Sequence, residues 1–230
     1  MRVLSENEMA TVAGGLLPLN GPGGGGYTPY SGSNPVLSRQ DVQQLANESN
    51  LNGLLTQNSI YVVNQSEPNS AYGASSIAGN TVYIPPDRSV GYSSGDVLMQ
   101  IAHELGHQEH PVDLYPTNYL TEGDYATAQL TGEGWAQIQA IQTAASLAPY
   151  QDIPQIPGDP TLASEETATY YLGLSNGDSM SQIAQDIGAI MGSQSLTTDW
   201  AFGPLMGSNE DYSQWLSNNW DNAWGIGILN

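Results

Sequence analysis

All three histidines of this chain stand within eight positions of one another. They occur in the pattern His103-Glu104-x-x-His107 and at His110. On an α-helix, residues four apart project from one face on successive turns, so the imidazoles of His103 and His107 can reach one Zn²⁺ at about 2.0 to 2.1 Å. Glu104 lies about 100° round that helix, where its carboxylate can take a proton from a zinc-bound water. The spacing therefore predicts metal-assisted hydrolysis.

A zinc ion held by two imidazoles needs a third protein ligand and keeps a fourth position open for water. The chain contains no cysteine, which excludes thiolate ligands. His110 faces the same side as the other histidines, but it lies about 4.5 Å further along the helix axis than His107. Two carboxylates downstream are the other candidates, Asp113 and Glu133, and the second of them stands between two glycines. Residues as small as glycine favour the close approach of two helices around a metal.

The limits of the motif helix are marked in the sequence. Ser93 and Asp96 have the spacing of a capping box, which predicts that the helix begins there, and Pro111 predicts its end. Apolar positions cluster on one side of the helical wheel, and the histidines cluster on the opposite side; the apolar positions are Val97, Leu98, Ile101 and Leu105. A histidine with a structural role in the core would lie within the apolar stripe, so this separation favours a metal site.

The segment from about Asn80 to Ala140 resembles the gluzincin metallopeptidases, zinc enzymes in which a glutamate on a downstream helix faces the H-E-x-x-H helix. The resemblance implies that Glu133 is the third ligand and Glu104 the general base. It also implies a small zincin-like fold of α+β class, mainly helical, with a short sheet packed on the motif helix and a helical C-terminal half. Asp113 has the spacing of the short metzincin pattern, but that family has a glycine where this chain has His110.

Gluzincins commonly place a tyrosine or a histidine from the C-terminal half beside the developing oxyanion. No histidine remains there, so the resemblance implies Tyr170 or Tyr171 as catalytic residues, with Arg88 as a further candidate. In this family the strand before the motif helix accepts an extended peptide by edge pairing. We therefore expect a peptide or protein substrate, paired with the strand at Thr81–Ile84.

Apolar periodicity and turn residues predict the remaining elements. They are a short helix after Ser38, strands at Ser59–Val63 and Thr81–Ile84, helices at 121–148, about 162–172 and 179–191, and a proline-rich loop at 149–160. Four of the five tryptophans stand in the last forty residues. Large aromatic rings supply much buried area, so these tryptophans are expected to pack the C-terminal part of the fold.

The first fifteen residues resemble the double-glycine leader of bacterial peptides and small proteins. The stretch from Leu4 to Gly15 follows that leader pattern, with Met9 in a leucine position as the one departure. The resemblance implies recognition by an ABC exporter with a cysteine-peptidase domain, cleavage after Gly15, and a secreted, extracellular product. Residues 16–36 are rich in glycine and proline and are expected to form a flexible tether. The zinc peptidase domain is then expected at 37–230.

The charge of the chain narrows its partners. Acidic residues outnumber basic ones by 23 to 3, which gives a formal net charge of -20. Nucleic acid and anionic membranes are therefore poor partners, and Ca²⁺ is an expected counter-ion in addition to Zn²⁺. No stretch approaches the roughly eighteen apolar residues of a membrane span, so no membrane insertion is expected.

Taken together, these features predict an exported bacterial zinc-dependent peptidase. Two other functions stay open. The chain can be a leader-bearing, bacteriocin-like effector or binding protein without catalysis. It can also be a zinc hydrolase that acts on an amide of cell-wall peptide or on an ester, because the same water attacks any of these carbonyls.

Overall fold

The computed structural model describes residues 40–64, 76–84, 93–147, 160–193 and 212–224. The predicted leader and tether, Ser38, Arg88 and most of the 149–160 loop lie outside these ranges.

Seven α-helices and three short strands make up the described part of the chain. In chain order they are α1 (Gln40–Glu48), α2 (Leu51–Gln57), β1 (Tyr61–Val63), β2 (Ser76–Ala78), β3 (Thr81–Tyr83), α3 (Ser94–Glu109), α4 (Glu122–Leu147), α5 (Pro160–Asn176), α6 (Met180–Gly192) and α7 (Tyr212–Trp224). A short 3₁₀ helix, Pro116–Asn118, lies between α3 and α4. The predicted α+β class, mainly helical, is confirmed, and α2, β2 and α7 are elements that the sequence did not predict.

The sheet has the strand order β1-β3-β2. β3 pairs in parallel with β1, where Val62 lies opposite Val82, and antiparallel with β2, where Ile77 lies opposite Val82. The strand that precedes the motif helix is therefore the central strand, and its backbone is paired on both sides. The expectation that it accepts a peptide by edge pairing is wrong, because the short strand Ser76–Ala78 covers its second edge.

The motif helix α3 has the predicted limits. The Ser93 side chain accepts a hydrogen bond of 3.2 Å from the backbone N–H of Asp96, and the Asp96 carboxylate accepts one of 3.2 Å from the Ser93 N–H. This capping box satisfies two N–H groups that a helix start leaves without intrahelical partners. The helix ends at Glu109, with His110 as its C-cap. All ten residues from Val97 to Gly106 are buried, so the histidine face is covered as well as the apolar face.

α4 covers the histidine face of α3, and Gly106 permits the close approach. A Cβ atom at Gly106 would lie 2.5 Å from the Cα atom of Ala136 on α4, which is too close for any side chain. Gly134 serves a different crossing, because a Cβ there would lie 1.9 Å from the backbone oxygen of Ala184 on α6. The small residues around Glu133 thus let α4 pack tightly against two helices at once.

The buried side chains form two clusters. The larger one joins α1, the sheet, α3, α4, α5 and α6. The smaller one lies where α7 meets the start of α4 and contains Tyr125, Tyr212, Leu216 and Trp220. The expected packing role of the C-terminal tryptophans is thereby confirmed for Trp220. None of the described helices is both long enough and apolar enough to cross a membrane.

Candidate metal centre

Three side chains from two helices meet between α3 and α4. The Nε2 atom of His103 lies 3.3 Å from Oε2 of Glu133, and the Nε2 atom of His107 lies 3.4 Å from the same oxygen. Nitrogen and oxygen atoms of the three residues all lie within 4.8 Å of one another. The structure therefore brings together the two histidines and the glutamate that the sequence named as ligands.

This group could hold a metal ion. Two ligand atoms bound to a tetrahedral zinc at about 2.0 to 2.1 Å are separated by about 3.3 Å, close to both Nε2-to-Oε2 distances. Within the described residues, Oε2 of Glu133 is buried and has no hydrogen-bond partner. The two nearby imidazoles stabilise the charge of this carboxylate, and a metal ion between the three side chains would ligate Oε2 directly. His103, His107 and Glu133 therefore fit the zinc ion that they are expected to bind.

A buried glutamine contacts the outer side of the His103 ring. The Nδ1 atom of His103 lies 3.1 Å from Oε1 of Gln137, and Nε2 of Gln137 donates a hydrogen bond of 2.5 Å to Oε2 of Glu166 on α5. Gln137 and Glu166 have no exposed surface, and His103 is only 4% exposed. Neither Gln137 nor Glu166 was predicted from the sequence. Gln137 lies one turn after Glu133 on α4, so the helical period alone could have placed it on the same face.

A tyrosine from the C-terminal helix contacts the third ligand. The hydroxyl of Tyr212, the first residue of α7, donates a hydrogen bond of 3.0 Å to Oε1 of Glu133. The two oxygens of Glu133 thus have different neighbours, since Oε1 accepts from Tyr212 and Oε2 faces the histidines. No local pattern in the sequence indicates this contact, which joins residues 79 positions apart.

The charges at the centre stabilise each other. Burial by itself lowers the pKa of His107, but the Glu133 carboxylate, with help from Glu104, outweighs this effect and raises it to about 9. Burial by itself raises the pKa of Glu133, yet His107 and His103 hold it well below its usual range. Burial and the neighbouring Glu133 charge raise the pKa of Tyr212 far above its ordinary value, so its hydroxyl stays a donor. Before any metal binds, the centre holds a carboxylate and a protonated imidazole.

Glu104, the expected general base, is buried beside this group. Its side chain is 7% exposed. Its charge acts on His107, where it raises the imidazole pKa. A carboxylate close to a metal ligand and sheltered from bulk water is suited to proton transfer.

The structure does not bring the two expected catalytic tyrosines to the cluster. The Tyr170 hydroxyl accepts a hydrogen bond of 3.2 Å from Gln142, which lies nine residues after Glu133 on α4, about 13 Å further along the helix. Tyr171 packs edge-to-face against Tyr170, with ring centroids 5.1 Å apart, and both rings adjoin the main core. The tyrosine that contacts the centre is Tyr212. Arg88 lies outside the described residues.

Asp113, the alternative ligand, forms hydrogen bonds within the turn that follows α3. Its carboxylate accepts hydrogen bonds from the backbone N–H of Tyr115 at 3.0 Å and from the Asn118 side chain at 2.6 Å. These two bonds lower the pKa of the exposed Asp113 carboxyl. The residue therefore shapes the connection between α3 and α4, and it is not a member of the three-residue group.

His110, the third candidate, stacks on an aromatic ring. Its imidazole lies almost parallel to the ring of Trp135, at a centroid distance of 3.8 Å. Both rings border an open cleft of about 600 Å³. Stacking at the end of α3 removes His110 from the metal group, as the 4.5 Å rise between it and His107 led us to expect.

Comparisons of the chain with models of known protein families, with curated proteins and with solved structures found no match. The function must therefore be argued from the chain's own residues. Among the residues that the structure describes, His103, His107 and Glu133 form the one cluster of side chains that could hold a metal ion. No cluster in this part of the chain therefore corresponds to the expected calcium.

Proposed function

We propose that this chain is a zinc-dependent peptidase of gluzincin type. The observation that carries the proposal is the buried group of His103, His107 and Glu133, with two Nε2-to-Oε2 distances that match the edge of a zinc tetrahedron. Two imidazoles and one carboxylate are a ligand set of catalytic zinc, which leaves a fourth position for water. The absence of cysteine is consistent with a catalytic site of this kind rather than a thiolate-rich structural one.

The residues around the group support a division of roles. In this proposal His103, His107 and Glu133 hold the ion. Tyr212 donates a hydrogen bond to Oε1 of Glu133, the carboxylate oxygen that does not face the histidines. The chemistry that a bound zinc ion supplies is activation of water and polarisation of the scissile carbonyl. Glu104 takes the proton of the attacking water and returns it to the leaving amine.

Tyr212 replaces Tyr170 and Tyr171 as our candidate for the tyrosine of the active site. Its hydroxyl keeps its proton, because burial and Glu133 raise its pKa well above the ordinary value. The hydroxyl has one hydrogen to donate, so Tyr212 stabilises a developing oxyanion by exchanging its bond to Glu133 for one to the substrate.

The retained base favours an enzyme over a binding protein. An effector without catalysis needs the metal ligands at most, whereas this chain also has Glu104, a buried carboxylate in the general-base position of the H-E-x-x-H pattern. Burying a carboxylate has a cost, and proton transfer gives a reason for it. A peptide bond is the proposed target, and cell-wall amides and esters are the other carbonyls to assay.

Export belongs to the same proposal. It rests on the resemblance of residues 1–15 to a double-glycine leader, which implies an ABC exporter with a cysteine-peptidase domain as the processing partner. Incubation of the full chain with such a peptidase domain should release a fragment that ends at Gly15. Cleavage elsewhere, or no cleavage, would remove the export proposal without affecting the zinc chemistry.

The test of the enzyme is a matched pair of variants on α3. Glu104→Gln should bind zinc as the wild type does and lose activity by about 10² to 10⁴-fold, the range for general acid-base catalysis. Glu109→Gln removes an exposed carboxylate from the same helix and should leave activity unchanged. Activity is read by mass spectrometry on a diverse peptide library, with and without a chelator. Equal cleavage by the Glu104→Gln variant and the wild type would refute the mechanism.

A further inference from the structure

The contact between Gln137 and Glu166 determines which way the Gln137 side chain points. A primary amide has one end that donates and one end that accepts. Nε2 of Gln137 donates to Oε2 of Glu166, which is the acceptor in this contact. The carboxylate therefore selects one orientation of the amide, and the carbonyl oxygen Oε1 is left to face His103 at 3.1 Å from its Nδ1.

The orientation of Gln137 in turn determines where His103 carries its proton. A carbonyl oxygen accepts only, so Nδ1 must bear a hydrogen to make this bond. With its hydrogen on Nδ1 bonded to Gln137, the ring has Nε2 left for a metal, and Nε2 is the atom that lies 3.3 Å from Oε2 of Glu133. Neutral imidazole binds metal through the nitrogen that carries no proton.

Burial strengthens the constraint that these hydrogen bonds place on the His103 ring. Gln137 and Glu166 are fully buried and His103 is 4% exposed, so bulk water does not compete for these bonds. A buried donor that lacks an acceptor destabilises the fold, so the ring keeps its hydrogen where Gln137 can accept it. The pair also connects two elements, because Gln137 lies on α4 and Glu166 on α5.

We infer that Glu166 and Gln137 are positioning residues that hold His103 as the Nδ1-protonated tautomer and so present its Nε2 to the metal. Glu166 acts through Gln137, at a distance from the ion. The inference rests on the proposed zinc site and adds to it the residues that prepare one of its ligands. Partners of this kind behind a histidine ligand typically change metal affinity by 10- to 100-fold.

The first test is zinc affinity, measured by competition with a chromophoric chelator. Gln137→Met removes both hydrogen bonds at similar volume and should weaken zinc binding by about 10- to 100-fold. Gln142→Met is the matched control, since Gln142 also joins α4 to α5, through Tyr170, and does not touch His103. It should bind zinc as the wild type does. Equal affinities for the Gln137→Met and Gln142→Met variants would overturn the inference.

A double variant separates positioning from general stability. Glu166→Met should also weaken zinc binding, and the double variant with Gln137→Met should be no weaker than Gln137→Met alone, because Glu166 acts through Gln137. Effects that multiply in the double variant would contradict this. Glu166 lies on another helix, so its variant tests the inference even if Gln137→Met fails to fold, which circular dichroism would detect.

The tautomer itself can be read by ¹⁵N spectra of histidine-labelled protein. Only three histidines are present, so assignment needs few variants. In the wild type, Nδ1 of His103 should carry a proton both with and without zinc, and in zinc-free Gln137→Met the proton of the neutral ring should move to Nε2. An unprotonated Nδ1 in the zinc-free wild type would overturn the inference. Failure of the wild type to bind zinc would instead refute the proposed function, which keeps the two failures distinct.

Discussion

The Tyr212 hydroxyl donates a hydrogen bond of 3.0 Å to Oε1 of Glu133, and this bond ties the last described helix to the metal centre. It leaves Oε2 of Glu133 directed at the two histidines. The C-terminal helix is therefore part of the site and not only of the fold, because it fixes which carboxylate oxygen is available to a metal.

Removing this hydroxyl should weaken zinc binding. The Tyr212→Phe variant keeps the ring in the small aromatic cluster but leaves Oε1 of Glu133 buried without its donor. We expect the zinc dissociation constant to rise by about tenfold or more, the range for lost partners of metal ligands. The matched control is Tyr125→Phe, a buried tyrosine of the same cluster. An unchanged dissociation constant in Tyr212→Phe would show that the bond does not position Glu133.

Zinc affinity should increase with pH. The pKa of His107 in the zinc-free protein is raised to about 9, so at neutral pH its imidazole carries a proton that zinc must displace. Displacing one proton makes the apparent association constant rise by about tenfold per pH unit below that pKa and level off above it. Chelator competition from pH 6.5 to 9.5 measures the slope. An affinity that does not change below pH 9 would contradict the assignment of His107 as a ligand.

Stability of the zinc-free protein should fall over the same range. The folded-state pKa of His107 is about 9, which is above the ordinary histidine value of 6.5. Its interaction with Glu133 therefore stabilises the fold fully below pH 6.5, by up to about 3 kcal/mol, and this contribution is lost as the pH rises through 9. Urea unfolding of the zinc-free protein at pH 6 and pH 9.5 tests the sign. In the His107→Gln variant, the free energy of unfolding should differ less between the two pH values. An equally large difference in that variant would show that other groups cause the loss of stability.

The crossing of α3 and α4 should not tolerate a side chain at Gly106. A methyl group there would lie 2.5 Å from the Cα atom of Ala136, so Gly106→Ala must push the helices apart. We expect a loss of about 1 to 3 kcal/mol in the free energy of unfolding, together with weaker zinc binding because Glu133 moves away. Gly53→Ala is the control, since Gly53 is a helical glycine with no atom near its Cβ position. Its effect should be neutral or stabilising.

Local signals predicted five of the seven described helices and missed α2 and α7. The Ser93–Asp96 capping box and Pro111 marked the motif helix, and α4 was expected at 121–148 and is found at Glu122–Leu147. These limits depend on residues a few positions apart. The strand Ser76–Ala78 was missed because three residues carry no readable alternation, and the error about the edge of the sheet followed from that.

The three residues of the candidate metal centre were predictable from the sequence, and the contacts of Tyr212 and Glu166 were not. His103 and His107 share a helix face by spacing alone, and Glu133 followed from the family resemblance. Tyr212 and Glu166 come from helices whose docking no local pattern encodes, at separations of 79 and 29 residues from their partners. Tyr170 and Tyr171 were predicted in place of Tyr212 for the same reason. The chain has thirteen tyrosines, and no local pattern distinguishes the one that contacts Glu133.

The central claim is that His103, His107 and Glu133 hold one zinc ion. The most direct test is zinc content after dialysis, combined with X-ray absorption at the zinc edge, for the wild type, Glu133→Ala and Asp113→Ala. The account predicts one zinc with two imidazoles and a carboxylate in the wild type and in Asp113→Ala, and loss of tight zinc in Glu133→Ala. Tight zinc retained by Glu133→Ala, or lost by Asp113→Ala, would contradict it.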